Sequence, residues 1–271
     1  ILLWCEQGLG DSIQFCRFVR SVAAQGATVL LWAQAALESL MGGLEGVSRV
    51  LRPGEHVPVT DYFCALLSLP FALQIDADSI PAERQYLYAD PARIAAWSER
   101  LGPRRRPRIG LVWSGNPNHK GDRNRSIPFE QFELPSDDRF EFFCLQKVIR
   151  DGDRHSLEQR PDVRVFSDEL TDLHETAALL HHMDLVIAVD TAVAHLAGAL
   201  GRPVWLLLTF ASEWRWLLDR DDSPWYPTAR LFRQTRPGAG VAPALAGARS
   251  AISAKRRIAT WIPAFAGMTS H

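Results

Sequence analysis

Short apolar runs alternate along most of the chain with segments in which apolar residues recur every three to four positions. The runs predict buried strands, and the longer spacing predicts amphipathic helices. Strands are predicted over residues 1–5, 27–33, 47–52, 108–115, 140–147, 163–166, 184–190 and 203–209. Helices are predicted from about residue 11 to 24 and over 35–43, 90–102, 171–183 and 191–201. This alternation is typical of parallel sheets with right-handed crossover connections.

A stiff, charged stretch interrupts the alternation at residues 103–107, Pro-Arg-Arg-Arg-Pro. Its three arginines could form an anion-binding or nucleic-acid patch, but we prefer a solvated linker between domains. The sequence therefore predicts an α/β protein with two Rossmann-like parallel-sheet domains facing each other. The N-terminal domain would span residues 1–102 and the C-terminal domain residues 108–234.

The last part of the chain, residues 235–271, has no such rhythm and is rich in Ala, Gly and Pro. We expect a poorly ordered tail. A Lys-Arg-Arg run followed by Ile, Trp and Phe leaves a membrane-touching segment as the alternative. At the other end, the chain starts inside a strand-like run with no Met, so we expect it to be a piece of a longer protein.

Composition narrows the functional classes. Hydrophobic residues make up 47% of the 271 residues, charged residues 23%, and the formal net charge is −1. This balance is that of a globular protein, and it gives no support to nucleic acid or an acidic membrane as partner. Apolar runs are too short for a transmembrane segment, and the first residues do not show the basic, apolar and small-residue pattern of a signal peptide. Four widely spaced cysteines without a CxxC pair fit reduced thiols in the cytoplasm rather than disulfides or a zinc site.

The first candidate site is the turn Gly8-Leu9-Gly10-Asp11, which follows the first predicted strand. Glycines at this place allow close backbone approach to an anion at a helix N-terminus. The dinucleotide fingerprint GxGxxG is not met, because its third glycine is replaced by Ile13. Asp11 is either the N-cap of the helix or a general base.

The second candidate is the polar stretch from residue 113 to 128, for which no regular structure is predicted. It follows a buried strand, and ligands of open α/β sheets bind at the carboxyl ends of the strands. Its potential cations are His119, Lys120, Arg123 and Arg125. They suit a diphosphate, although a solvated loop explains them equally well.

The third candidate is "VDTAVAHLAGALGRPVW", where a strand runs into a short helix. Asp190 would cap that helix, and Thr191 with the N–H groups of Ala192 and Val193 would offer donors to a phosphate. We assign to Asp190 a sugar hydroxyl rather than the phosphate, which it would repel. His195 lies four residues after Thr191, on the same helix face, and is either a packed core residue or a ligand contact.

A fourth candidate is the aromatic stretch of residues 213–227, with Trp214, Trp216, Trp225 and Tyr226. Aromatic rings with acidic neighbours are typical of carbohydrate contacts. Packing against the other domain explains them equally well, and the sequence does not decide between the two.

Four segments together resemble a known family: "EQGLGDSIQFCRFV", "GLVWSGNPNHKGDRNRSIP", "LVIAVDTAVAHLAGALGRPVWLLL" and "WRWLLDRDDSPWYPTARLFRQ". They are similar to the glycosyltransferase domain of bacterial tetratricopeptide-repeat proteins, which is related to glycosyltransferase family 9, the ADP-heptose:lipopolysaccharide heptosyltransferases. The resemblance runs from about residue 1 to 234. It implies the GT-B fold, a nucleotide-sugar donor on the C-terminal domain, an acceptor on the N-terminal domain, and no metal ion.

The resemblance also implies site residues. Asp11 corresponds to the catalytic base. The donor-binding residues would be Ser114, Asn116, Lys120, Arg125, Gln146, Asp190, Thr191, Ala192 and His195. The acceptor-side residues would be Gly8, Gly10 and Gln14. Two positions depart from the family: Arg125 replaces a lysine, and Ala192 replaces a glycine beside the phosphate. A final helix normally completes the fold, and residues 235–271 do not resemble it.

The sequence thus predicts a cytoplasmic bacterial glycosyltransferase that needs no cofactor. It would move a sugar from an ADP- or UDP-linked donor to a hydroxyl of a glycan, lipid or protein. Tetratricopeptide repeats are expected to precede it in a longer protein. A non-catalytic nucleotide-sugar or carbohydrate binding module is one alternative, and a nucleotide-sugar epimerase on the same architecture is another.

Overall fold

The computed structural model describes residues 1–132, 139–236, 244, 246–248 and 250. These residues form an α/β structure with two parallel sheets. The strands are β1 (Leu2–Trp4), β2 (Val29–Trp32), β3 (Val47–Leu51), β4 (Phe63–Ala65), β5 (Arg108–Val112), β6 (Glu141–Cys144), β7 (Val163–Val165), β8 (Leu185–Val189), β9 (Val204–Leu208) and β10 (Ala229–Arg233). The α-helices are α1 (Leu9–Phe15), α2 (Val19–Ala23), α3 (Glu38–Met41), α4 (Leu69–Ala72), α5 (Pro91–Leu101), α6 (Asp122–Arg125), α7 (Asp151–Glu158), α8 (Leu173–His181) and α9 (Ala192–Ala199). Short 3₁₀ turns cover Cys16–Phe18, Ala35–Leu37, Leu66–Ser68, Phe129–Gln131 and Trp214–Trp216.

The smaller sheet has four strands in the order β3-β2-β1-β4. Its central strand β1 places Leu3 opposite Leu31 of β2 and Cys64 of β4, in parallel register. Leu3 and Leu31 are fully buried. The residues that alternate with them along β1 and β2 are only half-buried, so one face of this sheet is more deeply buried than the other.

The larger sheet has six strands in the order β10-β9-β8-β5-β6-β7. Every residue of β5, β8 and β9 is buried. Since all these strands are parallel, the segments that follow β5, β6, β8 and β9 leave the sheet at one edge. Three of the predicted donor-site segments come together there. The predicted α/β class with two parallel sheets is confirmed.

Three local predictions need correction. The stretch after β5 is not without regular structure, because it contains the short helix α6. Helix α7 was missed because its face is largely polar, with Leu157 as its one buried large apolar side chain. Its buried Asp153 ties it to the sheet by accepting hydrogen bonds from the Trp113 indole (2.9 Å) and the Phe129 amide (2.8 Å). Strand β10 was also missed, although three of its five residues, Ala229, Leu231 and Phe232, are buried.

Helix α5 has the boundaries that its sequence predicts. Asp90 is the N-cap and accepts a hydrogen bond from the Arg93 amide at 2.9 Å. Gly102 ends the helix with φ 75°, a left-handed conformation that favours glycine. The helix lies against α8, where the Trp97 indole donates to Glu175 at 2.7 Å. The first hundred residues therefore pack directly on helices of the larger sheet.

Buried apolar side chains of both sheets form one continuous cluster, which a second, smaller cluster accompanies on the larger sheet. Arg17 follows α1 and is buried where the two sheets' helices meet. Its guanidinium donates to the carbonyl of Trp225 at 2.6 Å and to the hydroxyl of Tyr86 at 3.0 Å. It also lies over the rings of Tyr86, Trp225 and Tyr226. Carbonyl dipoles and aromatic faces thus solvate this buried cation.

The cysteines are all unpaired, and three of the four are buried. Burial raises the pKa of the Cys5 and Cys144 thiols to about 11. These thiols are therefore protonated and unreactive at neutral pH.

Most of the predicted tail, residues 235–271, lies outside the described residues, but its described residues 244, 246–248 and 250 are helical. Ala244 and Ala248 are buried, so the expectation of a poorly ordered tail is wrong for this part. In the part of the chain that is described, no helix has the length and apolarity needed to cross a membrane. The linker arginines 104–106 are exposed, and Arg104 forms an ion pair with Asp184.

Candidate functional site

Helices α1 and α9 pack against each other and join the two sheets. Gly10 makes this contact possible. A Cβ atom at position 10 would lie 2.8 Å from Cδ2 of His195 and 3.6 Å from Cα of Ala192. The turn after the first strand is therefore pressed directly onto the helix that follows β8.

Asp11 is not the N-cap of α1, as one interpretation of the sequence required. Gly8 is the N-cap, and Asp11 occupies the third helical position. Its Oδ2 accepts a hydrogen bond from the Gly8 amide at 3.1 Å. Its Oδ1 accepts one from Nη2 of Arg215 at 2.5 Å. The side chain remains 23% exposed, so the carboxylate is held from two sides and still open to a ligand.

Asp190 is not a helix cap either, because Thr191 is the N-cap of α9. The carboxylate of Asp190 points instead to Trp216, whose indole donates to Oδ2 at 2.8 Å. Its Oδ1 lies 3.5 Å from Nε2 of His195. Nδ1 of His195 lies 2.8 Å from the hydroxyl of Tyr226. Both ring nitrogens of His195 therefore face protein groups.

The charge of Asp190 is stabilised in this buried position. Burial alone would raise the pKa of its carboxyl group. The hydrogen bonds from His195 and Trp216 and the positive charge of Arg215 outweigh burial, so the pKa is lowered. The row of contacts from Asp190 through His195 to Tyr226 thus stabilises the start of α9.

Among the described residues, the N-terminus of α9 carries polar groups that have no hydrogen-bond partner. Thr191 makes no side-chain capping bond, and its buried Oγ1 has no hydrogen-bond partner among the described residues. Ala192 and Val193 are half-buried, and within the described ranges no group accepts from their amides. Unpaired N–H groups with a positive helix end form an anion-binding position.

Arg125 lies beside this helix end. Its Nη1 donates to the carbonyl oxygen of Asp190 at 2.8 Å, and its Nε lies 3.4 Å from Oδ1 of Asp122. Asp122 also pairs with Arg150 and accepts from the hydroxyl of Ser126 at 2.9 Å. Burial acts to raise the pKa of Asp122, but these partners lower it. The guanidinium is therefore fixed at the residue before the N-cap, with 21% of its side chain exposed.

The other predicted donor-binding residues occupy two different settings. Gln146 accepts from the amides of Trp113 and Ser114, both at 2.8 Å, and donates to the Ser114 hydroxyl at 2.9 Å. These buried groups shape the end of β5 and satisfy one another. Asn116 and Lys120 are exposed in the loop that follows. A contact of any of them with a donor stays a prediction.

On the predicted acceptor side, Gln14 is fully buried on α1. Its amide nitrogen and oxygen have no hydrogen-bond partner among the described residues. An unpaired buried amide is costly, so a water molecule or a ligand group is expected to satisfy it. The amide of Gly8 is not free, because it donates a hydrogen bond to Asp11.

The four aromatic side chains of residues 213–227 differ in burial: three are buried and one is exposed. Trp216, Trp225 and Tyr226 are buried, as the packing interpretation requires. Trp214 is 61% exposed and lies against Phe15 of α1, with ring centroids 6.3 Å apart. Packing therefore explains three of the four rings, and a carbohydrate contact stays a prediction for Trp214.

Arg215 was missed from the sequence. The only signal available was its place between two tryptophans, and its partner Asp11 lies 204 residues away in the chain. It joins the predicted base to the loop between β9 and β10. In the ranges that are described, no group of three or more His, Cys, Asp or Glu side chains could hold a metal ion.

Comparison with known proteins places this geometry in context. Residues 168–237 match the model of glycosyltransferase family 9 (heptosyltransferase). The matched segment contains Asp190, Thr191, His195 and Arg215, but not Asp11. The chain is also 29% identical, over 262 residues and 86% of its length, to Protein FlbA of Caulobacter vibrioides. It spans 43% of that relative.

Solved structures show the same fold over nearly the whole chain. E. coli ADP-heptose LPS heptosyltransferase II matches with a TM-score of 0.64 and 14% identity, covering 94% of this chain and 99% of that one. A family 9 glycosyltransferase from Veillonella parvula gives 0.65 and 12%, covering 93% and 95%. E. coli heptosyltransferase WaaC with ADP gives 0.59 and 13%, covering 93% and 98%. The described architecture is thus that of heptosyltransferase structures.

Proposed function

We propose that this chain transfers a sugar from a nucleoside diphosphate donor to a hydroxyl group of an acceptor. The observation that carries the proposal is the contact of α1 with α9. It sets the Asp11 carboxylate beside a helix N-terminus whose Thr191 hydroxyl and first amides are unpaired. A carboxylate next to an anion-binding helix end is the arrangement that such a transfer needs.

In this mechanism the two parts of the site have separate tasks. Asp11 accepts the proton of the acceptor hydroxyl while the hydroxyl oxygen bonds to the anomeric carbon of the donor sugar. The bond from that carbon to the diphosphate oxygen breaks, and the electron pair leaves with the nucleoside diphosphate. Thr191, the amides at the start of α9 and Arg125 stabilise the departing charge. His195 acts through Asp190 and Tyr226, because its ring nitrogens face those residues.

The wider proposal goes beyond the family 9 match and follows the sequence resemblance. It comprises a GT-B arrangement with a cleft between domains that span residues 1–102 and 108–234, metal-independent transfer and a bacterial cytoplasmic location. It also comprises linkage to tetratricopeptide repeats in a longer protein. An ADP-linked donor is supported by the names of the matched structures, one an ADP-heptose heptosyltransferase and one solved with ADP.

Calorimetric titration with ADP, UDP and GDP tests the donor site. We expect saturable binding of one nucleotide by the wild-type protein, weakened about tenfold in Arg125→Gln because a charge-assisted bond of about 1.5 kcal/mol is lost. Arg154→Gln is the control, since Arg154 is exposed and pairs only with Asp151 of its own helix among the described residues. Absence of binding by folded wild-type protein overturns the proposal.

Catalysis is distinguished from mere binding by Asp11→Asn. In a transferase this substitution abolishes turnover and leaves nucleotide affinity unchanged. In a binding module, wild-type and variant proteins bind alike and neither one releases nucleotide from a sugar donor. An epimerase converts the donor sugar without any acceptor, which product analysis with donor alone detects.

A further inference from the structure

Arg215 belongs to the 3₁₀ turn Trp214–Trp216, in the loop between β9 and β10. The residue is 8% exposed, and its guanidinium has three defined neighbours. Nη2 donates to Asp11 at 2.5 Å, Nη1 donates to Glu213 at 3.1 Å, and the group lies 5.4 Å from the ring centre of Trp214. Its position is therefore fixed before any substrate binds.

The loop that carries Arg215 is anchored to the larger sheet. The next residue, Trp216, donates through its indole to Asp190, directly before the N-cap of α9. Arg233 of β10 donates to the carbonyl of Trp216 at 2.6 Å and to the hydroxyl of Ser212 at 2.8 Å. Arg215 is therefore attached to the larger sheet and to the start of α9, whereas Asp11 lies on the helix that follows β1 of the smaller sheet.

The bond from Arg215 orients the Asp11 carboxylate and leaves part of its hydrogen-bonding capacity unused. Gly8 holds Oδ2 and Arg215 holds Oδ1. A carboxylate has about four lone-pair positions, two on each oxygen, so one position on each oxygen stays available. The guanidinium is itself oriented by two carboxylates, because Nη2 donates to Asp11 and Nη1 donates to Glu213, and a single ammonium group lacks this rigid, planar set of donors.

We propose that Arg215 is a positioning residue for Asp11, and that it makes the orientation of the base depend on the donor-side loop. This inference rests on the proposed function. Asp11 takes the acceptor proton as the new glycosidic bond forms and the bond to the diphosphate breaks. Arg215 is not consumed in that step and holds the carboxylate toward the acceptor before and after it. Misplacement of a reacting group by about 1 Å costs on the order of 100-fold in rate.

The first experiment tests the contact itself. Thermal unfolding midpoints are measured for Arg215→Met, Asp11→Asn and the double variant of the full chain. If the two side chains interact as described, the midpoint shift of the double variant is smaller than the sum of the single shifts. Additive shifts overturn the inference, whatever the protein catalyses. Arg215→Lys repeats the cycle if the methionine variant does not fold.

The second experiment tests the role in turnover. Hydrolysis of a donor, with water as acceptor, is followed by nucleotide release from ADP-heptose, UDP-glucose or GDP-mannose, according to which nucleotide binds. We expect kcat to fall about 100-fold in Arg215→Met with the donor KM unchanged. We expect a fall of about tenfold in Arg215→Lys, which keeps the charge but loses the planar group that donates to both Asp11 and Glu213. Guanidinium added at millimolar concentration restores part of the rate of Arg215→Ala.

Arg220→Met is the matched control, because Arg220 lies on the same loop and its side chain pairs with the exposed Asp222. We expect it to leave kcat unchanged. An unchanged kcat in Arg215→Met, or a change in KM alone, overturns the positioning role and leaves the proposed function standing. Wild-type protein that binds none of the nucleotides, or binds one and releases none from its sugar donor, overturns both.

Discussion

The close contact of Gly10 with α9 can be tested by Gly10→Ala, which adds a single methyl group. Gly10→Ala places a Cβ atom 2.8 Å from Cδ2 of His195. Carbon atoms in favourable contact lie about 3.5–4.0 Å apart, so one of the two helices must shift. His195 is buried and held by Tyr226 and Asp190, so its ring cannot simply rotate away.

The magnitude follows from two opposing effects. Alanine in place of helical glycine stabilises by about 0.5–1 kcal/mol because the unfolded chain loses freedom. Overpacking of a filled interior costs about 1–3 kcal/mol. We therefore expect Gly10→Ala to lower the free energy of unfolding by about 1 kcal/mol.

Gly152 provides a matched control, because it too is the second residue of a helix. A Cβ atom at position 152 meets no heavy atom within 4 Å. Gly152→Ala should therefore stabilise by about 0.5–1 kcal/mol, which separates the two variants by about 2 kcal/mol. Urea unfolding followed by circular dichroism measures this difference. Equal stabilities of the two alanine variants would refute the described packing of α1 on α9.

Three further predictions follow from buried polar groups. Tyr226→Phe removes the hydroxyl that faces Nδ1 of His195, and we expect urea unfolding to show a loss of about 1–2 kcal/mol in the free energy of unfolding. Tyr62→Phe is the control at an exposed site and should change that free energy by less than about 0.5 kcal/mol. Since the pKa of Asp190 is lowered in the folded protein, its stabilisation is complete above the ordinary carboxyl pKa of about 4 and is lost as the pH falls below it. The unfolding midpoint of Asp190→Asn should therefore fall less steeply than that of wild type between about pH 5 and pH 3. A thiol reagent at pH 8 should modify Cys64, the half-buried cysteine, before the buried Cys5, Cys16 and Cys144, and equal rates at all four would contradict the described burial.

The sequence pattern predicts most strands of the larger sheet because a buried strand appears in the sequence as a short apolar run. Runs such as residues 185–189 and 204–208 are apolar throughout, and both are central strands. Helix α7 left no such signal, since its place depends on hydrogen bonds of Asp153 to distant residues. Periodicity alone does not reveal a helix that is held by its polar side chains.

The candidate site was predicted as a set of residues but not as a set of partners. Asp190 and Asp11 stand at helix starts, where local sequence favours capping. In the fold Asp11 keeps a local bond from the Gly8 amide, but both carboxylates also pair with the turn at Trp214–Trp216, far along the chain. The identity of such partners depends on tertiary packing, which a local pattern does not contain.

The buried Arg17 has a consequence for the order in which the protein can fold. Its carbonyl partner on Trp225 lies 208 residues further along the chain. During synthesis Arg17 leaves the ribosome long before that carbonyl exists, and until then its guanidinium has only part of its final partners, among them the carbonyl of Pro81 and the hydroxyl of Tyr86. A buried cation without its partner is strongly unfavourable. The surroundings of Arg17 therefore reach their final packing only when synthesis has passed residue 225.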